Sequence, residues 1–235
     1  MSELARRLYK SVSVRERGDG FVVMLDERQL KTPAGELFRA PTRKLADAIA
    51  AEWEAQAERI APASMPLTQM AFAALDVTLK RRDELASLIA KYVATDLVCH
   101  RAEAPAALVA RQAATWDPIV DWAHTRFHFR PAVVSGLIAA PLSPQNLTTM
   151  QWEVDDLDAF RCTALAQAVT LAGSAFIGFA LLEGRLNAES AFAAAALDDL
   201  WNSENWGEDP EARAGLDSQR AEFAALERFI QALSD

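Results

Sequence analysis

A pair of histidines and an adjacent cysteine and histidine are the first candidates for chemistry in this sequence. His124 and His128 lie four residues apart in a predicted helix, a spacing that metal-binding pairs use. Asp121 is the only nearby third ligand and the glutamate of a zinc protease is missing, so we favour two ordinary histidines. Cys99 and His100 are adjacent, and on a helix they would point about 100° apart, which separates a nucleophile from its base. We therefore expect Cys99 to be a small core residue.

A glycine pair in the C-terminal half imitates a phosphate-binding loop. Gly173 and Gly178 have the required spacing, but Phe179 stands where the loop needs its lysine. We expect this segment to lie within a helix, where the glycines permit close packing. The sequence contains no hydrolase elbow, dinucleotide fingerprint or paired-cysteine zinc motif. It therefore predicts no metal site, no cofactor and no catalytic residue.

The charged residues are unevenly distributed along the chain. The 235 residues include 24 Lys+Arg and 33 Asp+Glu, a formal net charge of −9. Residues 1–150 hold 19 bases and 17 acids, whereas residues 151–235 hold 5 bases and 16 acids. The acidic balance argues against nucleic-acid binding, because phosphates need a basic surface. From Glu189 to Glu211 there are seven acids and no base, which fits either a solvated surface or a docking surface for a basic partner.

The composition and the N-terminal residues indicate the cellular compartment in which the protein works. Two cysteines are too few for a disulfide framework and fit a reducing environment. Arg6, Arg7 and Lys10 precede no apolar stretch of the length that a secretory signal needs. The proportions of 51% apolar and 24% charged residues are those of a globular protein. We expect a mature cytoplasmic protein.

The first forty residues show the alternation typical of β-strands. Val12 and Val14 alternate with polar residues, and turn residues follow at 18–20. A strand is predicted at 21–25, a turn at 26–28, a strand at 30–32 and a short strand at 36–39. Two or three strands are marginally stable alone, so we expect this sheet to pack on another element.

From Thr42 onward the hydrophobic period becomes helical. Thr42 is a predicted N-cap, and Leu45, Ile49, Trp53 and Ile60 form one apolar stripe. Further helices are predicted at about 68–79, 81–101, 105–115, 144–157 and 211–233, with one more starting at Pro118 and an N-cap at Asn187. The predicted fold class is α+β. A small β-containing N-terminal domain with one helix covers 1–62, and a larger all-helical domain covers 63–235.

The segment Cys162–Leu182 has 21 residues without a charge, a length that can span a bilayer. Much of the segment is alanine and glycine, and its polar residues, such as Gln167 and Ser174, would each need a partner in lipid. A helix that is apolar all round also suits the centre of a helical domain. We favour this buried core helix over stable membrane insertion.

Eight short motifs occur in order along the chain: Arg7–Lys10, Leu25–Pro33, Glu52–Gln56, Met65–Thr68, Thr95–Cys99, Trp116–Pro118, Leu197–Trp201 and Trp206–Glu208. Together they resemble the assembly chaperones of the F1 part of ATP synthase that act on its alpha subunit. The resemblance covers nearly the whole chain. Two residues depart from the family pattern, Glu27 in place of a turn glycine and His100 in place of a tyrosine. The first departure leaves the turn type open, since glutamate disfavours a positive φ.

The resemblance implies a non-enzymatic role. The family holds newly made alpha subunit and covers the surface that later meets beta, until beta takes over. It also implies a small β-containing domain joined to a larger helical one, in a bacterial cytoplasmic member whose eukaryotic relatives work in the mitochondrial matrix. We expect a monomer when free. The predicted partner-binding residues are Asp198, Asp199, Glu208 and Asp209, with Trp201 and Trp206 as either aromatic contacts or core residues.

Two other functions stay open on the residues alone. One is an enzyme whose cleft uses the C-terminal carboxylates, with or without the His124 and His128 pair. The other is a general helical adaptor that retains many clients rather than one.

Overall fold

The structure is a computed structural model that describes residues 4–136, 143–207 and 209–234. A small antiparallel sheet near the N-terminus precedes ten α-helices in these residues, which confirms the predicted α+β class. The strands are β1 (Val12–Arg17), β2 (Gly20–Leu25), β3 (Arg28–Gln29), β4 (His100–Arg101) and β5 (Val134–Ser135). The helices are α1 (Arg43–Glu54), α2 (Pro66–Asp76), α3 (Arg82–Ala94), α4 (Ala106–Phe127), α5 (Pro144–Asp155), α6 (Ala159–Ala172), α7 (Ala175–Leu182), α8 (Ala188–Ala195), α9 (Leu197–Trp206) and α10 (Pro210–Ala232).

The turn between β2 and β3 explains how the chain tolerates a glutamate there. Leu25 pairs with Arg28 across the antiparallel ladder, so Asp26 and Glu27 form a two-residue turn. Asp26 adopts a positive φ of 53°, whereas Glu27 does not. Aspartate tolerates this conformation better than most residues do. The β-strand therefore begins at Arg28, two residues before the predicted strand at 30–32.

Helix α1 begins where its sequence indicates but ends early. The Thr42 hydroxyl accepts a hydrogen bond from the Leu45 N–H, as expected of an N-cap. Leu45, Ile49 and Trp53 are buried on one side of the helix. Ile60 lies beyond the helix, and its N–H donates to the Ala5 carbonyl in an extended segment. The apolar stripe thus continues in sequence after the helix has ended.

The chain forms two compact units. The first comprises Met1–Arg81, Asp158–Ala164 and Arg228–Asp235, and the second comprises Arg82–Leu157 and Leu165–Glu227. In the first unit the hydroxyls of Thr78 and Thr163 lie 2.6 Å apart in a buried hydrogen bond. The domain boundary at residue 62 remains a prediction, because compactness alone does not show which segments fold independently.

In the second unit, α4 is one continuous helix with Pro118 inside it, so the predicted break at this proline is wrong. Its buried residues Trp116, Ile119 and Ala123 keep a helical spacing across the proline. The Trp116 indole N–H also donates to the Ala194 carbonyl, at 2.8 Å. Packing on both sides of Pro118 outweighs the loss of one backbone hydrogen bond.

The apolar segment 162–182 is divided between two helices, so the expectation of one continuous helix is wrong. Gly173 has a φ of +65° and Ser174 caps α7, its hydroxyl accepting from the Ile177 N–H. The buried Asp96 carboxylate accepts from the Ser174 hydroxyl and from two backbone N–H groups of α7. Gly178 packs against Val169 with no room for a Cβ, which confirms the close-packing role for this glycine. For Gly173 that expectation is wrong, because, its chain neighbours aside, no atom of the described residues lies within 4 Å of where its Cβ would be and the residue serves the turn instead. Among the described residues no helix is long and apolar enough to cross a membrane.

Candidate functional site

A cavity of about 590 Å³ is lined by residues of α9, of the α9–α10 link and of α10. Helix α9 ends at Trp206 because Gly207 turns the chain with a φ of +96°. Helix α10 then begins at Pro210, a residue suited to the first helical position. The lining residues are Asp199, Asn202, Ser203, Trp206, Gly207, Asp209, Ala212, Gly215, Leu216 and Gln219.

Three of the predicted partner-binding residues meet in this cavity: Asp199, Trp206 and Asp209. Trp206 is 86% exposed, although a tryptophan gains more from burial than almost any other side chain. Asp199 is exposed in the first turn of α9, and its carboxylate has no hydrogen-bond or ion-pair partner in the described part of the chain. The Asp209 carboxylate accepts a single long hydrogen bond within the described residues, from the Glu211 N–H at 3.3 Å. An exposed aromatic ring therefore lies beside carboxylates that are open to a partner.

Asp198, the neighbour of Asp199, makes a hydrogen bond inside the protein and does not line the cavity. It is half-buried, and its carboxylate accepts from the Gln112 side-chain amide at 2.8 Å. Gln112 is buried, and its amide oxygen accepts from the Ala102 N–H at 2.8 Å. Asp198 thus joins α9 to α4 through an internal hydrogen-bond chain. Its predicted role in partner binding remains a prediction.

Trp201 is half-buried on α9, with the Arg111 guanidinium carbon 6.0 Å from its ring centre. Arg111 also donates two hydrogen bonds to Glu204, at 2.5 and 3.0 Å. This pairing raises the pKa of Arg111 and lowers the pKa of Glu204. Glu208, the remaining predicted residue, lies outside the described residues. Trp201 is therefore held between core and surface, and it does not line the cavity.

The cavity lining contains carboxylates and no basic side chain. A smaller cavity of about 200 Å³ shares Ser203 and Leu216 with it and adds Arg213 and Arg220. Arg220 pairs with Glu189 at 3.1 Å, so its charge is balanced within the unit. The larger cavity keeps an unbalanced negative charge, which favours a basic partner.

His124, His128 and Cys99 do not form a metal-binding or catalytic group. His128 adopts a left-handed conformation after α4 ends, so it does not share a helical face with His124. No group of three or more potential metal ligands occurs among residues 4–136, 143–207 and 209–234. Cys99 is buried as expected, and burial raises the pKa of its thiol to about 12. At neutral pH this thiol is protonated and a poor nucleophile.

A sequence model of the ATP12 chaperone protein family matches residues 6–124, half of the chain. The chain belongs to this family. The ATP12 family consists of assembly chaperones for ATP synthase. The match covers the N-terminal segment of the first unit, α3 and most of α4, but not the cavity of α9 and α10.

Relatives of the ATP12 family extend the likeness over the whole chain. The crystal structure of Atp12 from Paracoccus denitrificans is 41% identical, with a TM-score of 0.92 over 97% of this chain and 98% of that one. An aspartate-to-lysine mutant of the same protein gives the same values. The mitochondrial protein atp12 of Schizosaccharomyces pombe is 23% identical over 98% of this chain and 84% of its own length.

Several cavity residues escaped sequence reasoning, among them Asn202, Gly215 and Gln219. One signal was present. In the stripe of α10, Leu216 is followed by the next apolar member only at Phe223, seven residues on, whereas later intervals are three or four. Phe223 is buried and Leu216 is only half-buried. In chain order, this wider interval marks where α10 stops lining the cavity and begins to face the core.

Proposed function

We propose that the protein binds the free alpha subunit of F1, shields its beta-contacting surface and releases it when alpha and beta assemble. The observation that carries the proposal is the cavity of α9 and α10, where Trp206 is exposed beside Asp199 and Asp209. In this proposal the protein is a monomer when free, works in the cytoplasm and catalyses no reaction.

An exposed tryptophan beside open carboxylates suits protein binding. Aromatic anchors supply much of the binding energy at interfaces, and charges near them guide encounter and register. A lone subunit of an obligate ring exposes apolar surface that promotes aggregation. Trp206 offers an apolar contact to such a surface, and Asp199 favours a basic side chain nearby.

Release needs no nucleotide in this scheme. A chaperone that covers a standard interface of roughly 1,600 Å² competes with a permanent subunit contact of roughly 2,000–5,000 Å². Mass action then favours transfer of alpha to beta as soon as beta is present. The cavity residues are required only to bind and to let go.

Charge reversal at Asp199 tests the proposal. Purified F1 alpha subunit is passed over immobilised protein, and Asp199→Lys is expected to weaken retention about tenfold or more. The matched control is Asp83→Lys, since Asp83 is also an exposed acid in the first turn of a helix of the second unit. Both variants lose the same favourable interaction with a helix N-terminus, so only the cavity distinguishes them.

Two results would count against the proposal. If Asp199→Lys and Trp206→Ala both retain alpha as well as Asp83→Lys does, the cavity is not the contact surface. If the wild-type protein retains many unrelated proteins equally, it is a general adaptor rather than a chaperone of one subunit.

A further inference from the structure

A second cavity of about 590 Å³ occurs in the first unit, around the turn between β2 and β3. It is lined by Leu8, Tyr9, Leu25, Asp26, Glu27, Arg28, Gln29, Leu30, Lys31 and Trp53. All of these residues belong to a single compact unit, and the cavity shares no residue with that of α9 and α10. It is therefore a distinct candidate for binding.

The apolar part of this cavity is open to a ligand. Leu8 is 89% exposed although it lines a concave surface. The rings of Tyr9 and Trp53 lie 5.8 Å apart, and the Tyr9 hydroxyl donates to the Trp53 carbonyl at 2.6 Å. This hydrogen bond and the packing of the two rings fix a rigid aromatic wall. Such a wall can receive an apolar side chain without first having to order itself.

Trp53 also carries a polar group that lacks a partner. Its side chain is only 8% exposed, and its indole nitrogen makes no hydrogen bond to any of the described residues. Buried indole N–H groups usually find an acceptor. The nitrogen itself has almost no accessible surface, so the cavity meets the ring of Trp53 rather than its N–H group.

The charges of the lining point to an acidic ligand. Asp26 accepts from the N–H groups of Lys10 and Ser11 and from the Ser11 hydroxyl, so its carboxylate is already occupied. Glu27 pairs with Arg15 at 3.6 Å.

The two bases of the lining have no such internal partners. The side chains of Arg28 and Lys31 form no ion pair or hydrogen bond within the described residues. Arg15 offsets the charge of Glu27, whereas Asp26 stays ionised because its donors are neutral groups. Arg28 and Lys31 together outweigh Asp26, so the cavity presents a small net positive charge to a ligand.

We propose that this cavity docks an acidic, apolar peptide segment of the client protein. An apolar side chain of the segment packs on Leu8, Tyr9 and Trp53, and a neighbouring carboxylate pairs with Arg28 or Lys31. The identity of the client as F1 alpha rests on the proposed function, but the chemistry of the segment does not.

The test uses two blocked five-residue peptides and the full-length protein labelled with ¹⁵N in its tryptophans. In one peptide glutamate alternates with leucine and phenylalanine, and in the other lysine replaces each glutamate. The indole N–H signal of Trp53 is expected to shift with the glutamate peptide, because the peptide packs against the Trp53 ring, and not with the lysine peptide. Trp53→Phe assigns this signal, or, if that variant does not fold, a nuclear Overhauser contact to the Tyr9 ring does so.

Charge variants complete the test. Lys31→Glu is expected to weaken binding of the glutamate peptide several-fold, and Arg28→Glu with Lys31→Glu about tenfold or more. Lys80→Glu is the matched control, because Lys80 is an exposed lysine of the same unit, lies outside the cavity and has no ion-pair partner among the described residues. The proposal is overturned if the Trp53 signal stays still, if both peptides move it equally, or if Lys31→Glu binds like Lys80→Glu. None of these readings requires alpha, so failure of this proposal is distinct from failure of the function proposed above.

Discussion

The two cavities have the same volume of about 590 Å³ and opposite charge. In the cavity of α9 and α10 the carboxylates are open and the aromatic ring is exposed, whereas around the β2–β3 turn the cations are open and the aromatic ring is buried. The cavities differ in how far the fold supplies internal partners to their carboxylates. Asp26 and Glu27 are satisfied within the chain, and Asp199 is not. Counting charges along a sequence therefore does not give the charge that a cavity offers to a partner.

The largest difference between the cavities should appear when their tryptophans are removed. Trp53→Ala is expected to destabilise the protein by about 3–5 kcal/mol, because it deletes a buried ring that packs on Tyr9. Trp206→Ala, the matched control, should change the free energy of unfolding by less than about 0.5 kcal/mol, since Trp206 is 86% exposed. Urea unfolding measures both. A Trp53→Ala variant that keeps its melting temperature but loses alpha binding would show that Trp53 acts only at an interface.

A smaller difference is expected between the two neighbouring acids of α9. Asp198→Ala should cost about 1–3 kcal/mol, because it leaves the buried Gln112 amide without its acceptor. Asp199→Ala removes an exposed carboxylate from the same helical turn, so any interaction with the helix N-terminus is lost in both variants. The comparison of their unfolding free energies isolates the internal hydrogen bond. Equal costs would mean that Asp198 is no more structural than Asp199.

The smallest effect concerns the carboxylate that the β2–β3 turn has paired. Backbone N–H groups of Ser11 and Lys10 lower the pKa of Asp26 from its ordinary value. A carboxyl with a lowered folded-state pKa stabilises the fold above its unfolded-state pKa and loses this contribution as pH falls through the folded-state pKa. The wild-type protein should therefore lose stability below about pH 4, and Asp26→Asn should lose less over the same range. Melting temperatures measured from pH 3 to 7 test this, and parallel curves for the two proteins would contradict it.

Local sequence patterns predicted many of the helix boundaries. The N-caps Thr42 and Asn187 begin their helices as the sequence indicates, because a cap depends on residues within one turn. The predicted helix at 81–101 instead ends at Ala94. Asp96 accounts for this, since its carboxylate caps α7, 78 to 80 positions away. A partner so distant in sequence leaves no local pattern.

Of the two cavities, sequence patterns indicated only one. The acidic run and the family resemblance pointed to Asp199, Trp206 and Asp209, and the structure brings these three together in one cavity. The cavity around the β2–β3 turn had no such signal. Trp53 belongs to an apolar stripe that correctly predicted burial, and periodicity does not show whether a buried indole has an acceptor.

The composition of the first unit has a consequence for how the protein is made. Its last segment is Arg228–Asp235, where the Thr42 hydroxyl donates to the Ala232 carbonyl and the Lys44 ammonium to the Ser234 carbonyl, each across 190 positions. A ribosome synthesises Ala232 and Ser234 only after all residues of the second unit. The first unit therefore cannot complete its contacts until the second unit has been synthesised, and closing so long a loop is slow relative to local folding. Until then, this member of a chaperone family has apolar surface of its own to conceal.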